Sequence, residues 1–228
     1  MWKSIFSTSY HSLVRVCSFF GVLPSVALAV MLGFSSSGDG LILQTSGNFD
    51  LSLAEQVDSL RKYADLVTHS EGKEKADYER LFFKYFPDTF DRFDSLYGYR
   101  EISIDSFAYA PLFSSDHLER VFPHLKSVND ADYYRKLVGI SIGGHWEADQ
   151  VGLFQHNLIN KVRANLGLTC SILRGLNDQQ VKSFWLFFFD MENPSAMDFS
   201  FLRNVEDKRI IRLMKEAMRI DRVKWSNE

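Results

Sequence analysis

From residue 51 onward, apolar residues recur every three to four positions, the period of helices with one buried face. Leu53, Val57, Leu60, Ala64 and Val67 share a face over residues 51–68, with Asn48 or Asp50 placed to cap the helix. A break at Ser70 to Lys73 precedes a second helix through Tyr78, Leu81, Phe82 and Tyr85, which must stop before Pro87. Pro87 suits the first position of a third helix, because its missing N–H costs nothing there. Phe86, Phe90, Phe93 and Tyr97 form that helix's apolar stripe, Asp88, Asp91 and Asp94 lie on the other side, and Gly98 ends it.

Residues 99–115 alternate weakly and contain Pro111, which predicts a short strand or a loop packed on the core. A short helix follows from Asp116 to Phe122, stopped by Pro123. Asn129 or Asp130 caps another through Tyr133, Tyr134, Leu137 and Val138. After a glycine-rich stretch at 139–144, a long helix is expected over 146–166, and a short one over 169–173. Phe184 to Phe189, FWLFFF, is apolar on every side and should lie at the centre of the fold, as a helix or a buried strand. The last helix, 205–223, carries Ile210, Leu213, Met214, Ala217 and Ile220 on one face and many Lys and Arg elsewhere. The expected class is mainly α: a multi-helix single domain over 49–228 with at most one short strand region.

The first 34 residues follow a different pattern. Met1 to Arg15 hold Lys3 and Arg15 and no acid, and Val16 to Phe34 is a run of 19 residues without a charge. A basic flank, an apolar run and Ala27-Leu28-Ala29, which fits small-x-small cleavage, together predict an export signal. The competing expectation is an uncleaved anchor, since 19 residues of helix nearly cross a hydrocarbon layer of about 30 Å. Pro24 argues for cleavage. Either way the body faces outward, periplasmic or tethered to the cytoplasmic membrane. Residues 35–48, which begin SSSGDG, predict a flexible linker.

Composition adds two constraints. Hydrophobic residues make up 46% of the chain, enough for a core. The net charge is −3, and with Lys3 and Arg15 in the leader the rest holds 24 basic and 29 acidic residues, or −5. A nucleic-acid binder needs a basic face, so that class is not expected. Of the two cysteines, Cys17 lies in the leader, so a processed chain has no internal disulfide, and Cys170 is expected to be a small buried hydrophobe.

Candidate chemistry is sparse. Gly139-Ile140-Ser141-Ile142-Gly143 matches the G-x-S-x-G nucleophile elbow, which makes Ser141 an alternative catalytic residue. The elbow needs a strand before the serine and a histidine from a distant segment after it. Here only His145 and His156 follow. On the expected 146–166 helix, His145, Asp149, Gly152 and His156 align as a polar stripe opposite Val151, Phe154, Leu158 and Val162. His145 and His156 would be about 16 Å apart along the axis, too far to share an ion. His145 with Asp149 is the alternative metal pair, lacking a third ligand. Gly152 on that stripe, costly within a helix, suggests close packing. No phosphate-binding loop, C-x-x-C or H-E-x-x-H occurs, and no cofactor is expected.

Three segments, FPDTFDRFDSLYGY (86–99), YYRKLVGISIGGHWEADQVGLFQHNL (133–158) and KSFWLFFFDMENP (182–194), resemble uncharacterised, exported helical bacterial proteins. Some of these resemble immunity partners that neutralise toxins passed between neighbouring bacteria. The resemblance implies an exported, non-enzymatic protein whose partner is a protein toxin, and it carries over no site residue. From the residues themselves, the candidate binding patches are Asp88, Asp91 and Asp94 on one helix and His145, Asp149 and His156 on another. A hydrolase, or a membrane-anchored structural protein of the envelope, are the rival expectations.

Overall fold

A computed structural model of the chain describes residues 51–103, 106–191 and 197–226, without the side chains of 101, 103 and 220–226. The leader at 1–34 and the linker at 35–48 lie outside the described residues. The described body is mainly α, with one two-stranded antiparallel sheet. None of its helices is long and apolar enough to cross a membrane.

Helix α1 (Leu53–His69) starts at Ser52 rather than at Asn48 or Asp50. The Ser52 hydroxyl accepts the Glu55 N–H while the Glu55 carboxylate accepts the Ser52 N–H, so two otherwise orphaned donors are satisfied reciprocally. Helix α2 (Gly72–Tyr85) ends before Pro87, as the sequence requires. The third helix, α3 (Phe90–Tyr97), begins later than Pro87. Thr89 is its extended cap and accepts the Arg92 N–H, so Pro87 and Asp88 precede the helix. The stripe Phe86, Phe90, Phe93 and Tyr97 is buried as its spacing predicts.

Strands β1 (Tyr99–Ser103) and β2 (Ser106–Tyr109) pair Tyr99 with Tyr109 and Glu101 with Phe107, and Ile102 is the extra residue of a bulge. The hairpin is not packed on the core, since every residue of β2 is exposed. A single π turn (His117–Val121) runs into a 3-10 turn (Phe122–His124). Pro123 sits inside that turn instead of stopping a helix, where a proline near the start is tolerated.

Helix α4 (Asp130–Ser141) is capped by Asn129, whose side chain accepts two backbone N–H groups. The expected 146–166 helix is shorter: α5 (Gln150–Ala164) starts four residues later, and α6 (Leu166–Arg174) absorbs Gly167 instead of being preceded by it. Asn165 caps α6 by accepting the Leu168 N–H, which makes a new helix cheaper than continuing the old one. Helix α7 (Asp178–Phe189) opens on an Asn177/Gln180 capping box and holds the FWLFFF run. Phe184, Trp185, Phe187 and Phe188 are fully buried there, so the run is a helix covered on all sides. A 3-10 turn (Ser200–Asn204) precedes α8 (Lys208–Ser226), whose first N–H groups are accepted by Asp207. Ile210, Leu213, Met214 and Ala217 are buried against α7, and Arg209 and Arg212 both pair with Asp178 at 2.6 and 2.7 Å. Cys170 is buried, and burial pushes its thiol up, as expected of an inert hydrophobe.

Candidate functional site

The loop at residues 143–149 joins α4 to α5 and is held at several points. Gly143 takes φ +83°, and its N–H donates to Ser183 Oγ at 2.8 Å. Gly144 lies between Phe90 and Phe187: a β-carbon there would come within 2.6 Å of one ring and 2.9 Å of the other. The Trp146 N–H donates to Asp190 Oδ2 at 3.0 Å. The buried Gln155 amide donates to the carbonyls of Phe187 and Asp190 and so locks α5 to the end of α7 beneath the loop. Asp149 closes the loop at φ 59°, ψ −113°, a conformation that non-glycine residues rarely adopt and that is stored as local strain.

Glu147 lies in this loop and is half-buried. Its Oε1 lies 3.0 Å from Nε2 of His145, and the His145 ring packs edge-on to Phe90 at 4.8 Å. The other oxygen, Oε2, is buried, and so is Oδ1 of Asp94 on α3. Among the described residues no donor reaches either one. Burial pushes the Glu147 carboxyl up, the His145 hydrogen bond opposes this, and the Asp94 charge adds to the rise. Asp94 itself folds over Gly98, where a β-carbon would meet Oδ1 at 1.8 Å, so only glycine leaves room for it.

The sequence candidates are redistributed by this arrangement. The three aspartates do not form one helical face. Asp88 precedes α3 and pairs with Nζ of Lys136 at 2.6 Å, Asp91 is exposed on the first turn, and Asp94 is half-buried over Gly98. The stripe of His145, Asp149 and His156 is also broken, because only His156 lies on α5, where it is exposed. Asp149 is exposed at the start of that helix and His145 is exposed in the loop. The opposite face is as expected, with Val151, Phe154, Leu158 and Val162 buried. Gly152 is not tightly packed: the nearest atom to an added β-carbon would be the Glu147 carbonyl oxygen at an ordinary 3.6 Å.

Ser141 is the last residue of α4, fully buried, with its hydroxyl donating to the Leu137 carbonyl at 2.7 Å. It stands in a helix, not on the strand-to-helix turn that an elbow serine occupies. The motif's glycines have steric reasons of their own: a β-carbon on Gly139 would come within 2.8 Å of the Asp88 carbonyl oxygen, and Gly143 has a positive φ. No group of three or more His, Cys, Asp or Glu side chains placed to hold a metal ion occurs among the described residues. A cavity of about 270 Å³ between Tyr133, Tyr134, Lys161 and Asn165 includes none of the candidates.

Sequence reasoning placed Asp94 and His145 in separate patches, although Glu147 pairs with His145 and feels the charge of Asp94. Glu147 stood beside His145 in the sequence, but nothing in its spacing pointed to α3. No protein family, curated protein or solved structure matches the chain.

Proposed function

We propose that this protein is an exported binding protein that captures a basic protein partner, in the manner of an immunity protein neutralising a toxin in the periplasm. The face that would do so comprises Asp91, Asp94, His145 and Glu147. The observation that carries this reading is that two carboxylate oxygens, Asp94 Oδ1 and Glu147 Oε2, on half-buried residues, have no donor among the described residues. A buried acceptor left without a donor is costly, and an ammonium or guanidinium group from a partner relieves that cost. Asp91, one turn before Asp94 on α3, and Asp149, two residues after Glu147, are both exposed and add negative charge. The body's charge of −5 steers a basic partner towards it. The strained loop and its ties to Ser183 and Asp190 hold the acceptors in place before binding, which limits the ordering cost of association.

Co-expression with the product of the adjacent reading frame tests the reading. The expected result is that the chain protects growth, and that Asp94→Asn with Glu147→Gln weakens binding to that product at least tenfold while circular dichroism is unchanged. A harmless product, or equal protection by the neutralised variant, overturns it.

A further inference from the structure

The cavity of about 270 Å³ is formed where the loop from Leu125 to Val128 meets the start of α4 and the end of α5. Its walls are held from several sides. Glu79, buried on α2, accepts the Lys126 N–H at 2.9 Å and the Ser127 N–H at 2.7 Å through one carboxylate oxygen, which pins the loop. The Tyr133 hydroxyl donates to the Phe122 carbonyl at 3.0 Å, and its ring stacks on Phe122 at 5.0 Å. The Tyr134 hydroxyl donates to the Lys161 carbonyl at 2.8 Å and ties α4 to α5. Both phenol protons are used inside the fold, so the two tyrosines offer the cavity ring surface rather than donors.

The donors left over belong to Lys161 and Asn165, which both line the cavity. Lys161 lies in the last turn of α5, half-buried, with Nζ 4.8 Å from the centroid of the Tyr133 ring. Among the described residues no carboxylate lies within ion-pair distance of that ammonium. Asn165 uses Oδ1 to accept the Leu168 N–H, and its amide N–H groups have no acceptor among the described residues.

The lining also holds one acid, Asp130, exposed on the first turn of α4. Burial pushes the Tyr134 phenol up, and the charge of Asp130 adds to the rise. Leu125, Val128 and Ala164 complete the lining with apolar groups. A cation and an anion thus share one small cavity without pairing, beside aromatic and aliphatic surface. A bare anion would meet the repulsion of Asp130 there, and a bare cation that of Lys161. A ligand carrying both charges satisfies both. Sites for drug-sized ligands start at about 300 Å³, so the occupant is small.

We propose that this cavity binds a small free α-amino acid with an apolar side chain. Its carboxylate takes the Lys161 ammonium and the Asn165 amide, its ammonium takes Asp130, and its side chain lies against Tyr133, Leu125 and Val128. Asp130 is exposed and Lys161 only half-buried, so both ion pairs are screened and Kd is on the order of 0.1–1 mM. The site is distinct from the loop at 143–149 and stands whether or not that loop captures a partner.

The test is titration calorimetry on the full chain in a non-ionic detergent. The probes are L-valine, L-leucine, isocaproate, which is leucine without its ammonium, and isoamylamine, which is leucine without its carboxylate. At least one amino acid is expected to bind, with leucine at least tenfold tighter than either single-charge analogue. Lys161→Gln should abolish amino-acid binding. Asp130→Asn, at an exposed position, should weaken it at least fivefold while isocaproate binds no more weakly than before. Circular dichroism of both variants should match the parent. No heat from either amino acid overturns the proposal. So does equal affinity for leucine and isocaproate, or binding that survives both substitutions unchanged.

Discussion

The Tyr97 hydroxyl lies 3.1 Å from Nδ1 of His117, and both side chains are buried in the core between α3 and the π turn. Phe82 packs edge-on to the same imidazole at 5.5 Å. With the ring neutral, Tyr97 donates and Nδ1 accepts. Burial pulls His117 down to about 4, with a smaller opposing push from Asp116, and it pushes Tyr97 well above its ordinary value.

This pair makes the fold acid-sensitive. Unfolded, His117 binds a proton below pH 6.5, while in the folded chain it stays neutral until about pH 4. The unfolded state therefore holds more protons between these values, and stability falls as pH drops through that window. His117 alone removes about 2 kcal/mol between pH 7 and pH 5. Urea unfolding at the two pH values should show this loss, and His117→Leu should flatten the difference. Equal loss in the variant would assign the acid sensitivity to other groups.

Lys136 is a buried cation held by the end of α2. Its Nζ donates to the Phe86 carbonyl at 2.6 Å, pairs with Asp88 and lies 4.7 Å over the Phe83 ring. Burial nevertheless pulls the lysine down, against the opposing charge of Asp88. Asp88 is half exposed, so the carbonyl contact matters more than the ion pair. Lys136→Met should cost about 2 kcal/mol by stranding that carbonyl, and Asp88→Asn under about 1 kcal/mol. Chemical unfolding of the two variants decides it, and the reverse order would make the ion pair dominant.

Two glycines should respond in opposite directions. Gly144→Ala forces Phe90 or Phe187 to move and should cost about 1–3 kcal/mol. Gly152 sits in the first turn of α5 with ordinary space around it, so Gly152→Ala should stabilise by roughly 0.5 kcal/mol. Thermal melts of the single variants provide the comparison.

Glu147 should oppose folding at neutral pH. Its carboxyl is raised in the folded state, so the folded chain binds the proton more tightly, and stability is lost as pH rises above the ordinary carboxylate value. Glu147→Gln keeps an acceptor for His145 and removes the buried charge. The variant should melt higher than the parent at pH 7, with the gap closing below pH 4. A lower melting point at pH 7 would mean that the carboxylate is satisfied within the fold.

The influence of Asp94 on Glu147 shows where sequence reasoning stops. Helix content, the buried stripes of α1, α3 and α5, and the covered α7 run were legible because they depend on contacts within one or two turns. Helix starts were less legible: Ser52 displaced Asn48 and Asp50 as a cap because several neighbouring residues can each supply an acceptor, and the third helix starts at Phe90 behind the Thr89 cap, not at Pro87. The helix expected from 146 began only at Gln150, because Gly143, Gly144 and Asp149 serve a loop whose shape is set by Phe90, Phe187, Ser183 and Asp190. By itself, then, the sequence determined a mainly helical body with an aromatic centre, since periodicity and capping are local. Tertiary packing alone decided that the charge of Asp94 acts on Glu147 from 53 positions away, that Lys136 is buried under Asp88, and that the hairpin's apolar residues face outward. Those outcomes depend on which helix faces touch, a property that no spacing along the chain encodes.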